Sequence, residues 1–259
     1  MNASGDGLDV RTLAAGYPAG TVLPAHHHGW GQLVFAASGV MRVTTDDAAW
    51  LIPPTRAIWL PAGIRHAIAM LGEVAMRTLY IDMPRAGSLP SLPYVLEVAP
   101  LLRELIFHIL RIGILTRGHA QHDRLAALLV DLLVAADHEN LMLPLPRDTR
   151  ALRLAEHWQQ HPEDCRDLPV LAKNSGASLR TLQRLFVRET GLTLEAWRQQ
   201  ARMIYAVAQL AAGASVTNTA LDCGYKSMSA FGNAFSRQFG LSPARYITRR
   251  PGGGPLRTP

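Results

Sequence analysis

The chain has 259 residues, of which 48% are hydrophobic, and it carries a formal net charge of +6 at pH 7. This length allows two domains that each bury a core, and this hydrophobic share is typical of a folded rather than a disordered protein. No apolar run reaches the roughly 18 residues of a membrane span, the polar start does not resemble a signal peptide, and two distant cysteines fit a reduced protein, so we expect a cytoplasmic protein without a membrane partner.

The positive charge is concentrated in the second half of the chain. Residues 1–140 hold 10 Lys and Arg against 12 Asp and Glu, whereas residues 141–259 hold 16 against 8. A basic half of this kind favours binding to a polyanion. Charge alone does not distinguish nucleic acid from a membrane surface, so the residue patterns must decide between them.

The first 85 residues contain short runs that are rich in β-branched and aromatic residues. Gly, Pro and Asp interrupt these runs at regular intervals, as expected for turns. The runs are Leu33–Ala37, Val40–Thr44, Trp50–Ile52, Ala57–Leu60 and Met76–Ile81. Several short strands at this spacing predict a sandwich or barrel over residues 1–85.

Three histidines in this region have the spacing of a ligand cluster. His26, His28 and Gln32 occur in the motif GxxxxxHxHxxxQxxxxxxG at 20–39, and His66 ends the motif PxGxxH at 61–66. Alternate residues of a strand share a face, so His26 and His28 can meet a third ligand from a neighbouring strand. Three imidazoles with a weak oxygen ligand suit a divalent transition metal such as Zn, Ni, Fe or Cu.

These motifs resemble the two motifs of cupin proteins. The resemblance implies that His26, His28 and His66, with Gln32, project from barrel strands onto one metal ion. Two other interpretations stay open at this point: the residues bind a small organic effector without metal, or the histidines are purely structural. The barrel also resembles the sensory domain of cupin-type transcription regulators.

The apolar period changes after a Pro-rich bridge at 84–100. Leucines and isoleucines recur at helical spacing over 101–110 and again over 125–133, which predicts two amphipathic helices. We expect the segment 86–140 to be a helical linker that packs on the barrel and mediates homodimerisation. Packing inside one monomer is the alternative.

An internal repeat dominates the second half. The pattern LxxLFxxxxGLT at 182–193 returns as FxxAFxxxxGLS at 231–242, and each copy follows a helix and a glycine-containing turn that ends in Ser. Helix, turn and second helix are the elements of a helix-turn-helix motif, here present twice. A helix predicted over Leu194–Ala211, about 27 Å long, would hold the two recognition helices about one DNA turn (~34 Å) apart.

The outward residues of the recognition helices are suited to DNA. Arginine pairs with guanine and glutamine with adenine, so Arg180, Gln183 and Arg184 are the candidate base readers of the first helix. The second helix offers Ser229 and Asn233, which are shorter, and we expect weaker base contacts there or mainly phosphate binding.

Residues 148–250 resemble the DNA-binding domain of the AraC/XylS family of transcription regulators. The motif AGxSVxxxAxxxGYxSxSxFxxxFxxxFGxSPxxY at 212–246 carries the resemblance. It implies that one helix of each motif lies in adjacent major grooves of double-stranded DNA. By position it assigns to the bases Arg180, Gln183, Arg184, Met228, Ser229 and Asn233. It assigns to the phosphates Thr181, Lys226, Ser227 and Arg237.

The sequence therefore predicts an α+β multidomain protein. We expect a cupin-like β-barrel sensor domain at 1–85, the helical linker and dimerisation segment at 86–140, an all-α double helix-turn-helix domain at 148–250, and a disordered tail at 251–259. The predicted function is a sequence-specific transcription regulator, activator or repressor, whose binding to promoter DNA is modulated by a small molecule or metal in the cupin pocket. RNA polymerase is a further partner if the protein activates transcription.

The alternative function is a metal-dependent cupin enzyme with a helical appendage. An enzyme of that kind needs a general acid or base beside its metal. The sequence places no carboxylate beside His26, His28 and His66 for this role, so we predict no catalytic residues and no enzymatic activity.

Overall fold

The computed structural model of the chain describes residues 7–139 and 141–248, which divide into two compact units. Within the described residues, the first unit contains 7–45, 52–139 and 141, and the second contains 46–51 and 142–248. The first is mainly β-structure with helices, and the second is mainly helical. This confirms the predicted fold class, a cupin-like β-barrel with a helical segment followed by an all-α double helix-turn-helix domain. The predicted tail at 251–259 lies outside the described residues.

Antiparallel pairing organises the strands into two sheets. The strands are β1 (Leu8–Tyr17), β2 (Val22–His26), β3 (Gly31–Ser38), β4 (Met41–Thr45), β5 (Ala48–Ile52), β6 (Arg56–Leu60), β7 (His66–Met70), β8 (Val74–Ile81), β9 (Tyr94–Glu97), β10 (Ile114–Thr116), β11 (His138–Glu139) and β12 (Met142–Pro144). One sheet has the order β10-β1-β8-β3-β6-β9-β11. In the other, β7 lies between β4 and β2. In the second unit, β12 pairs with β5.

Among its described residues the first unit contains three helices, namely α1 (Met83–Ala86), α2 (Pro100–Ile112) and α3 (Ala120–Ala135). The apolar faces of α2 and α3 pack on one face of the seven-stranded sheet, where Leu33 and Phe35 of β3 are buried with them. Because successive strand residues point to opposite faces, Gln32 and Val34 point the other way, into the barrel. This alternation determines which residues line the barrel interior.

All five predicted runs coincide with strands, except that Val40 precedes β4, but several short elements were not expected. The Pro-rich bridge contains α1 and β9, and β9 pairs with β6 through Val95 and Ile58. The segment before Asp148, which has the composition of a linker, contains β12. Strands of two to four residues are too short to show an alternating pattern, so tertiary pairing rather than local sequence defines them.

The second unit contains seven helices among its described residues. They are α4 (Thr149–Gln160), α5 (Leu168–Asn174), α6 (Leu179–Thr190), α7 (Leu194–Ala211), α8 (Val216–Asp222), α9 (Met228–Phe239) and α10 (Pro243–Thr248). The predicted spacer helix coincides with α7. Trp158, Phe186 and Trp197 join α4, α6 and α7 in one aromatic core with ring centroids 5.5–6.2 Å apart, a spacing at which aromatic rings attract each other.

None of the helices within 7–139 and 141–248 combines the length and the apolar character that crossing a membrane requires.

Candidate DNA-binding surface and histidine pocket

Both helix-turn-helix motifs are built by the same local devices. The recognition helices α6 and α9 begin after Ser178 and Ser227, and each serine oxygen accepts a hydrogen bond from the backbone N–H three residues further on, at 3.2 Å. Such N-caps satisfy amides that otherwise lack a partner at a helix start. The predicted serine at the start of each recognition helix is thus the cap that fixes where the helix begins.

The turn of the second motif requires glycine at position 224. Gly224 has φ +73°, a left-handed conformation that other residues adopt at a cost. A Cβ atom there would also lie 2.8 Å from the backbone oxygen of Glu163. Any larger residue would therefore push α8 and α9 away from the α4–α5 connection.

The recognition helices bury the predicted inward faces and expose the predicted DNA-facing residues. Leu182, Leu185 and Phe186 are buried on α6, as are Phe231 and Phe235 on α9. Thr181 is half-buried beside Ser178. Exposed to solvent are Arg180, Gln183, Arg184, Lys226, Ser227, Met228, Ser229, Asn233 and Arg237. These side chains are accessible to DNA.

The two exposed faces differ in charge. The α6 face carries Arg180, Arg184 and Arg188. A guanidinium nitrogen of Arg188 lies 2.5 Å from a carboxylate oxygen of Glu189. The second helix carries one arginine, Arg237, among uncharged side chains. The α6 face is thus better equipped for guanine contacts, and the α9 face offers short polar and apolar groups.

The structure brings the three predicted histidines together in the first unit. The ring centroids are 4.5 Å apart for His26 and His66, 5.3 Å for His28 and His66, and 5.9 Å for His26 and His28. One ligand nitrogen from each ring lies within 4.8 Å of the other two. His28 and His66 are buried, and His26 is the most exposed of the three.

His28 reaches this cluster from a loop, which corrects the expectation that it alternates with His26 on one strand. Strand β2 ends at His26, and its register with β7 shifts after Leu23. The backbone oxygen of His28 accepts a hydrogen bond from the N–H of Gly63 at 2.8 Å. The loop is therefore held against the turn that precedes His66.

Hydrogen bonds to backbone oxygens define which ring nitrogen of each histidine faces the others. The Nδ1 atoms of His26, His28 and His66 lie 2.8–2.9 Å from the carbonyl oxygens of Pro24, Trp30 and Ile64. A carbonyl oxygen only accepts, so each Nδ1 carries a proton, and in the neutral ring this leaves the lone pair on Nε2. Carbonyl contacts of this kind orient histidine ligands in metal sites.

The Nε2 atom of His66 is buried and has no hydrogen-bond partner among the described residues. Burial, which penalises the charged ring, lowers the pKa of His66 to about 4. The ring is therefore neutral at pH 7. A buried lone pair without a donor costs free energy unless a ligand fills the position, so the donor set fits a bound cation.

Gln32 lies beside the cluster on β3 and is 2% exposed. Its Oε1 is placed 3.0 Å from Nε2 of His28. When Nε2 of His28 carries the lone pair, the amide NH2 group of Gln32 is the donor in this contact. Gln32 is thus a neighbour that holds His28 in place as well as a possible oxygen ligand.

Three residues beside the cluster were not singled out by the sequence. The ring of Tyr80 meets His28 edge-on at 5.2 Å between centroids, and burial raises the pKa of its hydroxyl. The guanidinium of Arg11 lies over the ring of Trp30, 4.8 Å from its centroid. No sequence signal indicated them, because it is the pairing of β1 with β8 and of β8 with β3 that places Arg11 and Tyr80 beside Gln32.

Comparison with known proteins identifies both halves of the chain. The family model of the AraC-like ligand binding domain matches residues 7–155, and that of a helix-turn-helix domain matches residues 171–249. The HTH-type transcriptional regulator NimR of Escherichia coli (strain K12) is 33% identical over 226 residues, which cover 87% of this chain and 82% of NimR.

Two further relatives match less than half of the chain. RipA of Corynebacterium glutamicum, an HTH-type transcriptional regulator, is 33% identical over 111 residues, covering 43% of this chain and 34% of RipA. The regulatory protein SoxS of Salmonella typhimurium (strain LT2) is 33% identical over 97 residues, covering 37% of this chain and 91% of SoxS. All three relatives are regulators by name.

Proposed function

Because this chain belongs to the AraC/XylS family of transcription regulators, we propose that it reads promoter DNA through the exposed faces of α6 and α9 and that its histidine pocket controls this reading. The family model for the ligand-binding domain spans more than half of the chain, and the regulator NimR aligns over most of its length. The protein is therefore a DNA-binding transcription regulator with a ligand-binding domain. It is not a metal-dependent enzyme.

We assign the roles on DNA by side-chain chemistry. Arg180, Gln183 and Arg184 on α6 read bases in one major groove. Met228, Ser229 and Asn233 on α9 face the next groove, where the Met228 side chain suits contact with a thymine methyl group. Thr181, Lys226, Ser227 and Arg237 hold phosphates. The exposure of these side chains around buried inner faces supports the assignment.

We propose that His26, His28 and His66 bind one divalent transition metal ion through their Nε2 atoms. The buried, unpartnered Nε2 of His66 is the observation that carries the proposal. The three Nδ1–carbonyl contacts leave the Nε2 lone pairs available. A bound ion would supply a fixed positive charge and a coordination position for an effector. On metal binding, Nε2 of His28 would exchange its contact with Gln32 for the ion, and the nearby Oε1 of Gln32 would serve as a weak oxygen ligand.

We propose that the protein dimerises through α3. Exposed residues follow this helix at intervals of three and four, the spacing of a helix-pairing face, and they are Arg124, Ala127, Leu128, Asp131 and Val134. In an antiparallel pair centred between Ala127 and Leu128, Arg124 faces Asp131 of the partner subunit, and Leu128 faces Ala127 of the partner subunit at the centre. The face is thus self-complementary in charge, as a two-fold interface requires.

RNA polymerase is the remaining proposed partner, for the case in which the protein activates transcription. A regulator of promoter DNA acts where the chromosome is, so we place its action in the bacterial cytoplasm.

The control of DNA binding is tested by metal loading of the full-length protein. Bound metal is first removed with a chelator, and Zn²⁺, Ni²⁺, Co²⁺ and Cu²⁺ are then added separately. Metal content is measured by atomic spectroscopy, and affinity for operator DNA is measured by fluorescence anisotropy. We expect one ion per chain and a change in DNA affinity of about tenfold or more, which corresponds to the 1–3 kcal/mol typical of coupled sites.

His27 supplies a matched control, since it is exposed and belongs to the same run of histidines but not to the cluster. Replacement of both His26 and His28 by Ala should remove the ion and the response, whereas His27→Ala should keep both. Metal retention by the double variant, or a DNA response that persists without any ion, contradicts the proposal.

A further inference from the structure

A cavity of about 210 Å³ lies between α4 and α5 in the second unit. Its polar lining residues come from α4, from the α4–α5 connection and from the end of α5, and they are Arg153, His157, Arg166, Asn174 and Ser175. Arg153, Arg166 and Asn174 are exposed, so the cavity opens to solvent. None of its described lining residues is acidic, and none is among the residues assigned to bases or phosphates.

Two guanidinium groups make this cavity positively charged. Asp164 accepts hydrogen bonds from Nε and one terminal nitrogen of Arg166 at 2.6–3.1 Å, which orients this guanidinium and leaves its second terminal nitrogen for another acceptor. Nε2 of His157 lies 2.6 Å from the same carboxylate. Arg153 forms no hydrogen bond or ion pair with the described residues. One carboxylate against two guanidinium groups leaves an excess of positive charge at the cavity.

The end of α5 borders the cavity, and a helix C-terminus disfavours anions when its last carbonyl oxygens lack partners. Here the carbonyl oxygens of Leu171, Ala172 and Lys173 accept hydrogen bonds from the backbone N–H groups of residues 175–177, at 3.0–3.2 Å. The hydroxyl of Ser175 also donates to the oxygen of Leu171, at 2.9 Å. These contacts reduce the negative potential that an anion would meet at this end of the helix.

The cavity lies beside the turn of the first helix-turn-helix motif. A Cβ atom on Gly176 would lie 3.7 Å from a terminal nitrogen of Arg153, so this guanidinium adjoins the turn that leads into α6. In such motifs the first helix, here α5, crosses the DNA backbone, and the recognition helix enters the major groove with its N-terminal residues. The cavity is therefore at the end of α6 where DNA phosphates are expected, the same end as Thr181.

We infer that this cavity binds a phosphate group, held by Arg153, Arg166 and Asn174, and that the DNA backbone supplies this group. Guanidinium and amide N–H groups donate in the directions that a phosphate accepts, and the charges are complementary. The volume accommodates a phosphate group with several water molecules, each of which occupies about 30 Å³ in the liquid. The inference rests on the proposed function and adds a phosphate contact outside the recognition helices.

A double-mutant cycle between protein and DNA tests the contact. Methylphosphonate linkages, in which a neutral methyl group replaces one charged phosphate oxygen, are placed singly along operator DNA. Affinities of full-length wild type and Arg153→Gln are measured by fluorescence anisotropy. At the phosphate that fills the cavity, the linkage should weaken binding of wild type by threefold or more but leave Arg153→Gln unaffected. If the two losses multiply at every linkage, the DNA backbone is not the source of the phosphate.

Matched variants separate a phosphate contact from a structural effect. Arg153→Gln should keep the wild-type unfolding temperature, weaken binding to all operator variants alike, and make the slope of log affinity against log salt less steep by about 0.9. Arg153→Lys should restore most of the slope. Asn174→Asp, which exchanges the amide donor for a carboxylate, should weaken DNA binding as well. Arg245 is exposed on α10 and does not line the cavity, so Arg245→Gln should match wild type.

A free phosphate ion is the other source of the same chemistry. Inorganic phosphate is titrated into DNA-free full-length protein by isothermal titration calorimetry, with sodium chloride of equal ionic strength as the control. Binding to wild type but not to Arg153→Gln, without coupling to any DNA linkage, supports a phosphate site that a free ion fills. If no linkage is coupled to Arg153 and inorganic phosphate does not bind, the inference is overturned.

Failure of the proposed function gives a different result. If the protein binds its operator with a preference that depends on Arg184 but is indifferent to Arg153→Gln, the regulator stands and only the cavity is wrongly assigned. If the protein shows no preference for any DNA sequence, base reading by α6 and α9 is wrong, whatever the cavity binds.

Discussion

The carboxylate of Glu189, at the end of α6, accepts hydrogen bonds from the backbone N–H groups of Arg147 and Asp148, both at 2.9 Å. These two amides precede the first residue of α4. A carboxylate at this place satisfies amide donors and adds a negative charge near a helix start, which the helix dipole favours. The first recognition helix and the first helix of the unit are thereby joined by a charge-assisted contact.

We expect Glu189→Gln to lower the free energy of unfolding by about 1 kcal/mol. The hydrogen bond from the Asp148 amide lowers the pKa of Glu189. Its stabilisation is therefore present above the pKa of the unfolded chain and is lost as the pH falls through the lower folded-state value. Urea unfolding at neutral and at acidic pH measures this. The free energies of unfolding of wild type and Glu189→Gln should converge at acidic pH. Glu156 is exposed, so the control variant Glu156→Gln should match wild type at both pH values.

Arg184→Ala should weaken binding to the cognate operator by about 1–3 kcal/mol and reduce discrimination at one base pair, because Arg184 is assigned to a base edge. Arg237→Ala should weaken binding to all sequences alike and reduce the salt dependence by about one phosphate contact. Fluorescence anisotropy titrations distinguish base reading from phosphate binding. They use a set of single-base operator variants at several salt concentrations. A uniform loss for Arg184→Ala contradicts base reading.

Charge reversal tests the α3 interface. Arg124→Asp alone and Asp131→Arg alone each place like charges opposite each other in the antiparallel pair, so each should shift the protein towards monomer in analytical ultracentrifugation. The double variant restores opposite charges and should restore the dimer. Leu101 is 59% exposed but lies on α2, so Leu101→Glu should leave the dimer intact. If both single variants remain dimeric, the dimer interface is not on α3.

The two cysteines should react at very different rates. Cys223 is fully buried, its thiol donates to the backbone oxygen of Arg202, and burial raises its pKa to about 12. Only the thiolate attacks an alkylating reagent, so Cys223 should stay unmodified by iodoacetamide in the folded protein and react in urea. Cys165 is exposed and should react in both. Mass spectrometry of peptides, with Cys165→Ser as control, reads the result.

The helical half was more predictable from the sequence than the pocket. Its boundaries depend on local signals, such as Asp148, whose side chain accepts from the N–H of Arg150 and begins α4 as expected. The spacer helix, predicted from about Leu194 to Ala211, coincides with α7, and in the structure Thr193 caps its start. Helix caps and a regular apolar period involve only residues that are close together in the sequence, so they can be recognised without knowledge of the fold.

The pocket depends on residues that are distant in sequence. The motif spacing predicted His26, His28 and His66, but the place of His28 follows from a register shift in β2 and from a hydrogen bond to Gly63. Arg11 lies beside Tyr80 only because β1 pairs with β8. The sequence Leu8–Tyr17 shows no clear alternation, so neither the strand nor its partner was expected.

The pairing of β12 with β5 limits how the DNA-binding half can be transplanted. Trp197 is buried and donates to the backbone oxygen of Pro144 at 2.6 Å, and Gln200 donates to that of Met142 at 2.7 Å. A gene fragment that starts at Asp148 would lack Pro144 and would leave the buried indole N–H of Trp197 without an acceptor. The free energy of unfolding would fall by about 1–3 kcal/mol. Chimeras that exchange this half between regulators should therefore be joined before Met142, and a cassette that starts there does not carry residues 46–51, which belong to the same unit.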